Sequence, residues 1–208
     1  QRQMCIRDSK NKLMIKVNKL VNKNFLSSFD ISSQEVHHIL ELAKNFKSKD
    51  FNINLEGKVL GLIFDKSSTR TRVSFQVAMA RLGGTTIDLN PTTSQIGRGE
   101  PIKDTARVLS RYCDVLAIRT FKQSVLEEYA KWATIPVINA LTDLEHPCQA
   151  LADFLTIKEE FGELKGKVLS YIGDGNNVAN SIILCGSLLD VEVRIACPKG
   201  YEPNNLVI

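Results

Sequence analysis

From Lys58 onward the sequence alternates short apolar runs with amphipathic stretches, and this rhythm restricts the fold more than any single residue does. The expected strands are 58–64, 85–89, 114–119, 136–139, 167–172 and 191–196, and the expected helices span about 69–82, 101–112, 122–133, 147–161 and 177–189. Several strands, such as Val59-Leu60-Gly61-Leu62-Ile63-Phe64, are unbroken apolar runs, the pattern of strands covered on both faces. Strands alternating with helices predict an α/β fold, a doubly wound parallel sheet flanked by helices. A domain boundary is expected inside or just after the helix 147–161, giving domains at 14–155 and 156–208. Two strands and one helix follow that boundary. Two strands cannot bury both faces of a parallel sheet, so this second, similar domain is expected to be only begun.

Upstream of the rhythm the sequence is less regular. Residues 1–13 show no periodicity and are set aside as an extension or artefact. The Lys- and Asn-rich stretch after them lacks the Arg and Ser of a mitochondrial presequence. Ser32 and Glu35 have capping-box spacing, and Val36, Ile39, Leu40, Ala43 and Phe46 then recur at helical intervals. His37 and His38 flank that stripe and read as surface or boundary residues.

The 208 residues are 43% hydrophobic with a net charge of +4, and no apolar run reaches the ~20 residues of a membrane helix. Basic residues are dispersed, with no basic tract beside an aromatic platform, so neither a nucleic-acid nor a membrane partner is expected. Five cysteines (Cys5, Cys113, Cys148, Cys185 and Cys197) form no C-x-x-C pair. A disulfide framework or structural zinc is not expected, and a reducing, cytoplasmic setting fits.

The stretch Phe64-Asp65-Lys66-Ser67-Ser68-Thr69-Arg70-Thr71-Arg72 turns from a buried strand into a helix closed by Gly83-Gly84. Orphan N–H groups and the positive end of the helix dipole make such a turn an anion site. Hydroxyls and the guanidiniums of Arg70 and Arg72 add donors for phosphate oxygens. The alternative is an ordinary cap by Ser67 or Ser68 with solvated arginines. Placement after a buried strand favours a phosphate-bearing small molecule, because open α/β sheets bind ligands at strand carboxyl ends.

Three other loops at that edge carry usable groups: 93–100 with Gln95, Arg119-Thr120, and Leu144-Glu145-His146-Pro147-Cys148-Gln149. Arg119 is either a charge leaving the sheet edge or a second contact to an anion or carbonyl. His146, just before a proline suited to the first helical position, is either a cap or a donor. With Gln149 it offers a neutral pair suited to polarising a carbonyl and orienting an amide. Cys148 lacks an adjacent base and reads as a packing residue. Gly173-Asp174-Gly175-Asn176-Asn177 is a weak nucleotide motif, since Val178 stands where G-x-G-x-x-G needs its third glycine. A polar turn facing a small ligand fits it at least as well.

Taken together these residues resemble the aspartate/ornithine carbamoyltransferase family. The markers are Ser68-Thr69-Arg70-Thr71-Arg72, Ser94-Gln95-Ile96-Gly97, Lys103-Asp104-Thr105-Ala106-Arg107, Arg119-Thr120, His146-Pro147-Cys148-Gln149 and Gly173 to Asn177. The match runs from about Asn18 to the end of the chain. Lys66-Ser67 before the first marker, Arg98 before Gly99-Glu100, and Asn176-Asn177 are more similar to the ornithine branch than to the aspartate branch.

The resemblance implies that the side-chain amine of L-ornithine attacks carbamoyl phosphate, giving L-citrulline and phosphate in arginine biosynthesis or catabolism. It implies that Ser68, Thr69, Arg70 and Thr71 hold the phosphate, and that Gln95 reaches the phosphate of a neighbouring subunit in a homotrimer or multiple of trimers. It implies that Arg119 contacts phosphate and carbonyl oxygen, that His146 donates to that oxygen, and that Gln149 holds the carbamoyl amide. Asn177 falls on the ornithine side, and no metal or organic cofactor is required. The family's later Asp-x-x-x-Ser-Met-Gly and His-Cys-Leu-Pro segments do not occur here, so these 208 residues alone are expected to bind carbamoyl phosphate weakly without turnover. The competing expectations are an aspartate enzyme, a dinucleotide-binding module on Gly173 to Asn177, and a non-catalytic oligomer-forming relative.

Overall fold

The structure, a computed structural model, describes residues 20, 22–48, 53–90 and 94–208. The expectations on residues 1–13, Cys5 and Thr93 lie outside the described residues. The first helix, α1 (Ser33–Lys47), begins with the expected capping box: the Glu35 N–H donates to Ser32 Oγ (3.3 Å) and the Ser32 N–H to Glu35 Oε2 (2.7 Å). Hydrogen bonds from Ser32, with Lys23 nearby, hold the Glu35 carboxyl down at about 2. His37 is exposed and His38 half-buried, as their flanking positions imply.

Among the described residues, six strands and five further α-helices follow in alternation. They are β1 (Val59–Phe64), α2 (Arg70–Arg81), β2 (Thr85–Leu89), α3 (Ile102–Leu109), β3 (Val115–Arg119), α4 (Gln123–Trp132), β4 (Val137–Leu141), α5 (Pro147–Phe161), β5 (Val168–Ile172), α6 (Asn177–Leu188) and β6 (Glu192–Ala196). A parallel sheet has the order β2-β1-β3-β4, and β5 and β6 form a separate parallel pair. The expected α/β, parallel, helix-flanked architecture is therefore the observed one.

The pleat of β1 sends Leu60, Leu62 and Phe64 to one face and Ile63 to the other. The first face packs under α2 through Met79, and the second under α3 and α4 through Ala106, Leu126 and Tyr129. Gly61 belongs in this tight strand because a Cβ there would stand 2.7 Å from Leu116 Cδ2. Helix α2 stops where Gly83 takes φ 83°, with the Gly84 N–H donating to the Met79 carbonyl.

Three features depart from expectation. β4 runs to Leu141, two residues past the predicted end at 139, because the Thr120 N–H bonds the Leu141 carbonyl. β2, at the sheet edge, is only partly covered, with Ile87 40% exposed. Although basic residues are dispersed in sequence, the fold gathers Lys103, Arg107 and Lys131 around the Trp132 ring at 5.0, 5.0 and 5.4 Å.

A second core joins α1, α5 and α6 through Val36, Leu40, Phe154, Ile182 and Leu189. This core ties the first sheet's last helix to the strand pair. The segment before α1 is fixed too: Phe25 exchanges backbone bonds with Val137 and Asn139 along the edge of β4. A 3-10 turn, Ser28–Asp30, follows and reaches α6.

Candidate functional site

Parallel strands end on one edge, and the turns leaving β1, β3 and β4 converge there. They enclose a cleft of about 610 Å³ whose wall includes Ser68, Arg70, Arg119, His146, Gln149 and Asp153. Thr69 and Thr71 line it as well, together with Ser67, Leu141 and Val178. Three distant sequence markers thus meet at one cavity.

The start of α2 is open. Its N-cap is Thr69, at φ −98° and ψ −62°, and no side chain caps the helix. The expected alternative, a cap by Ser67 or Ser68, is therefore not what forms. The first N–H groups of α2 remain free for an anion. Arg70 follows at once and makes no ion pair within 4.0 Å among the described residues. Arg72 does not join it, which corrects the expectation of two phosphate-facing guanidiniums in this turn. Its Nη1 bonds Asp88 Oδ2 at 2.6 Å, and its guanidinium lies 5.1 Å from the Phe64 ring centroid. Side-by-side pairing of β1 and β2 brings Asp88 within reach, a proximity that sequence distance hides.

Arg119 closes β3 at a register shift: Ile118 pairs with Asn139, but Arg119 pairs with Leu141. The irregularity re-aims the strand end, a common use of bulges beside functional sites. Burial pushes the Arg119 guanidinium below its ordinary value, and its Nε is buried without a partner. Among the described residues it too makes no ion pair. A desolvated cation with no carboxylate beside it is costly unless a ligand supplies the countercharge.

His146 is the N-cap of α5, 8% exposed, and its side chain caps nothing. Burial, then the positive Arg119, lowers it to about 4, so at neutral pH it is the uncharged imidazole. Its Nδ1 is buried without a partner. The His146 backbone is fixed by an N–H bond to Ser181 Oγ (2.7 Å). The loop before it is anchored at Glu145, a fully buried residue whose carboxylate accepts from the Ser27 hydroxyl and from the Ser28 N–H (3.1 Å). A third brace crosses the rim, where Lys66 pairs with Asp143 and sits 4.5 Å from the Phe121 ring centroid.

Gln149, one turn into α5, lines the cleft as expected, with its Nε2 donating to Asp153 Oδ1 at 2.9 Å. Asp153 is a wall residue that sequence inspection did not single out, although i, i+4 spacing from Gln149 was there to find it. Cys148 behaves as a packing residue: burial pushes its thiol up to about 12, and its Sγ lies 3.5 Å from the Asn139 carbonyl. Gln95 is exposed on a 3-10 turn, Gln95–Arg98, and is not among the residues of the cleft wall. Asn177 is not among them either. Its Nδ2 donates to the Thr142 carbonyl at 2.7 Å, tying α6 to the loop that carries His146.

The glycine-rich turn after β5 is closed where the first is open. Asn176 Oδ1 accepts from the Val178 and Ala179 N–H groups at 2.9 and 3.3 Å, filling the helix start. Gly175 donates to the Tyr201 carbonyl, and a Cβ on it would stand 2.2 Å from the Pro203 nitrogen. The glycine admits this chain's own segment, not a pyrophosphate, which removes the support for a dinucleotide module there. Among the described residues no group of three or more His, Cys, Asp or Glu could hold a metal ion.

Comparison with known proteins adds an independent finding. The family described as "Aspartate/ornithine carbamoyltransferase, carbamoyl-P binding domain" matches residues 23–159, and "Aspartate/ornithine carbamoyltransferase, Asp/Orn binding domain" matches 165–208. The ornithine carbamoyltransferase of Prochlorococcus marinus subsp. pastoris is 80% identical over 195 residues, which cover 94% of this chain and 63% of that protein. The crystal structure of ornithine carbamoyltransferase from Gloeobacter violaceus superposes with a TM-score of 0.83 at 53% identity, covering 90% of this chain and 62% of that one. The Pyrococcus furiosus enzyme of the same name gives 0.86 at 50% identity, covering 90% and 61%. The chain thus spans less than two thirds of the length of these relatives.

Proposed function

The chain belongs to the aspartate/ornithine carbamoyltransferase family, and from that premise we propose that its full-length protein transfers the carbamoyl group of carbamoyl phosphate to the side-chain amine of L-ornithine. The ornithine enzymes named above favour ornithine over aspartate as acceptor. The observation that carries the proposal is two guanidiniums without ion-pair partners among the described residues, Arg70 and Arg119, facing one cleft with an uncapped helix start and a neutral histidine.

In this mechanism the phosphate rests on the N–H groups and hydroxyls of Ser68 to Thr71 and on Arg70. Arg119 spans a phosphate oxygen and the carbonyl oxygen. The ornithine amine, as the free base, adds to the carbonyl carbon, and the carbonyl oxygen takes up negative charge. His146, uncharged, donates an N–H to that oxygen without having to lose a proton first. Collapse breaks the bond from the carbonyl carbon to the phosphate oxygen, the departing phosphate takes the proton given up by the amine, and citrulline remains. Gln149 holds the carbamoyl NH2 throughout. Catalysis is positioning plus electrostatic stabilisation, with no covalent intermediate on the protein.

We place the carbamoyl-phosphate-binding domain at 14–155 and the beginning of the ornithine-binding domain at 156–208, supported by the two separate sheets. Asn177 is assigned to the ornithine side on its motif alone. A trimer, or a multiple of trimers, gives Gln95 a role at a neighbouring subunit's phosphate, supported by its exposure outside its own cleft. The setting is the cytoplasm, within arginine metabolism, for which the free cysteines are the support. Residues 1–208 alone bind carbamoyl phosphate weakly and form no citrulline.

The test is citrulline formation by the full-length protein. His146→Ala is expected to lower turnover by ~10²–10³, the usual cost of losing one oxyanion donor. Turnover of the variant within a few-fold of wild type would overturn the mechanism, and a wild type that forms no citrulline would favour a non-catalytic relative.

A further inference from the structure

We propose that Asp153 makes the cleft selective for an acyl phosphate bearing an NH2 group, by taking the NH2 end of Gln149 and turning the Gln149 carbonyl oxygen toward the ligand. The inference rests on the carbamoyl phosphate reading and deepens it. Gln149 and Asp153 lie one turn apart on α5 and line the same cleft as Arg70, Arg119 and His146. Gln149 Nε2 donates to Asp153 Oδ1 at 2.9 Å. A carboxylate has acceptor sites only, so the amide end facing it has to be the NH2. The amide oxygen is then the end left for a ligand.

The two cations of the wall do not supply what that oxygen supplies. The guanidiniums of Arg70 and Arg119 only donate. They suit phosphate and carbonyl oxygens and offer nothing to an NH2. An acyl phosphate ending in a methyl group would therefore satisfy the arginines and leave the oxygen of the exposed Gln149 side chain facing carbon, with no donor from the ligand. Specificity built on a polar partner is stronger than specificity built on shape, because the wrong ligand leaves a polar group unpaired.

Asp153 is also out of place as a purely structural residue. It is half-buried, and among the described residues it forms no ion pair. Desolvation raises its carboxyl above the ordinary value, opposed by the bond from Gln149. A negative charge in the wall of a cleft built for an anion weakens the binding of every anion. Its retention is accounted for if it aligns the amide.

The experiment measures, by calorimetry on the full-length protein, the affinities of carbamoyl phosphate, acetyl phosphate and inorganic phosphate. In Asp153→Asn the new amide can present either end to Gln149, and the Gln149 side chain is no longer held one way round. The preference for carbamoyl over acetyl phosphate is expected to fall about tenfold, the scale of one hydrogen bond. Removing the charge shifts all three anions together and so cancels in that ratio. Gln149→Leu is expected to lose the same preference, with Asp153→Asn adding nothing on top of it. An unchanged ratio in Asp153→Asn, or additive losses in the double variant, would overturn the inference while leaving the function standing. A wild type that binds neither carbamoyl phosphate nor inorganic phosphate would overturn the function, and the inference with it.

Discussion

The chain builds the same corner twice, a strand turning into a helix, and finishes the two differently. After β1 the helix start carries no side-chain cap, and among the described residues Arg70 beside it makes no ion pair. After β5 the Asn176 side chain fills the helix start with two hydrogen bonds, and residues 201–203 cover the glycine turn. Both corners have the backbone geometry that attracts anions. What separates a ligand site from a structural turn is whether the molecule has already satisfied those N–H groups itself. The glycines, which drew attention to the second corner, serve close approach of the chain to itself.

The largest expected effect tests the charge state of His146, which lines the same cleft as the open corner. His146 titrates near 4 in the folded protein against 6.5 in a free chain, so the unfolded state takes up the proton first. Its contribution to stability is fully present above pH 6.5 and is lost as pH falls through 4, on the order of 3 kcal/mol by pH 4. Urea unfolding at pH 7 and pH 4 should show this loss in wild type and a correspondingly smaller one in His146→Gln. Equal pH dependence in both would show that the imidazole is not buried uncharged.

A smaller effect separates the corners directly. Arg70→Ala should weaken inorganic phosphate binding about 30-fold, near 2 kcal/mol, with little change in stability. Unaltered affinity would mean that the open corner is not the anion site. The smallest effect comes from opening the closed corner. Asn176→Ala should cost about 1 kcal/mol of stability, read in urea unfolding, and create no affinity for phosphate or NAD. A gain of NAD binding would revive the dinucleotide alternative.

The sheet and its helices were legible because local pattern sets them: the apolar runs of β1 and β3 and the Ser32–Glu35 box need no distant information. The convergence of the turn after β1 with Arg119, His146 and Gln149 on one cleft was legible for a related reason, since a parallel sheet collects its strand ends on one edge. The remainder depended on tertiary neighbours. Arg72 reads like Arg70 until the pairing of β1 with β2 supplies Asp88. Asn177 gives no sequence sign of its bond to the Thr142 carbonyl, which depends on a loop 35 residues away. Glu145 reads as an ordinary loop acid until Ser27 and Ser28 arrive from a remote stretch of chain. Asp153 is the exception, since its spacing from Gln149 was visible in the sequence.

That clasp between Glu145 and the early serines spans 117 and 118 residues. Closing so long a loop is among the slower events of folding, because its entropy is lost before the contact returns anything. The perch of the imidazole therefore sets only once Ser27 and Ser28 have come home across nearly the whole first sheet. A lesion at Ser27, far from the cleft in sequence, would then be felt at the histidine as surely as one beside it.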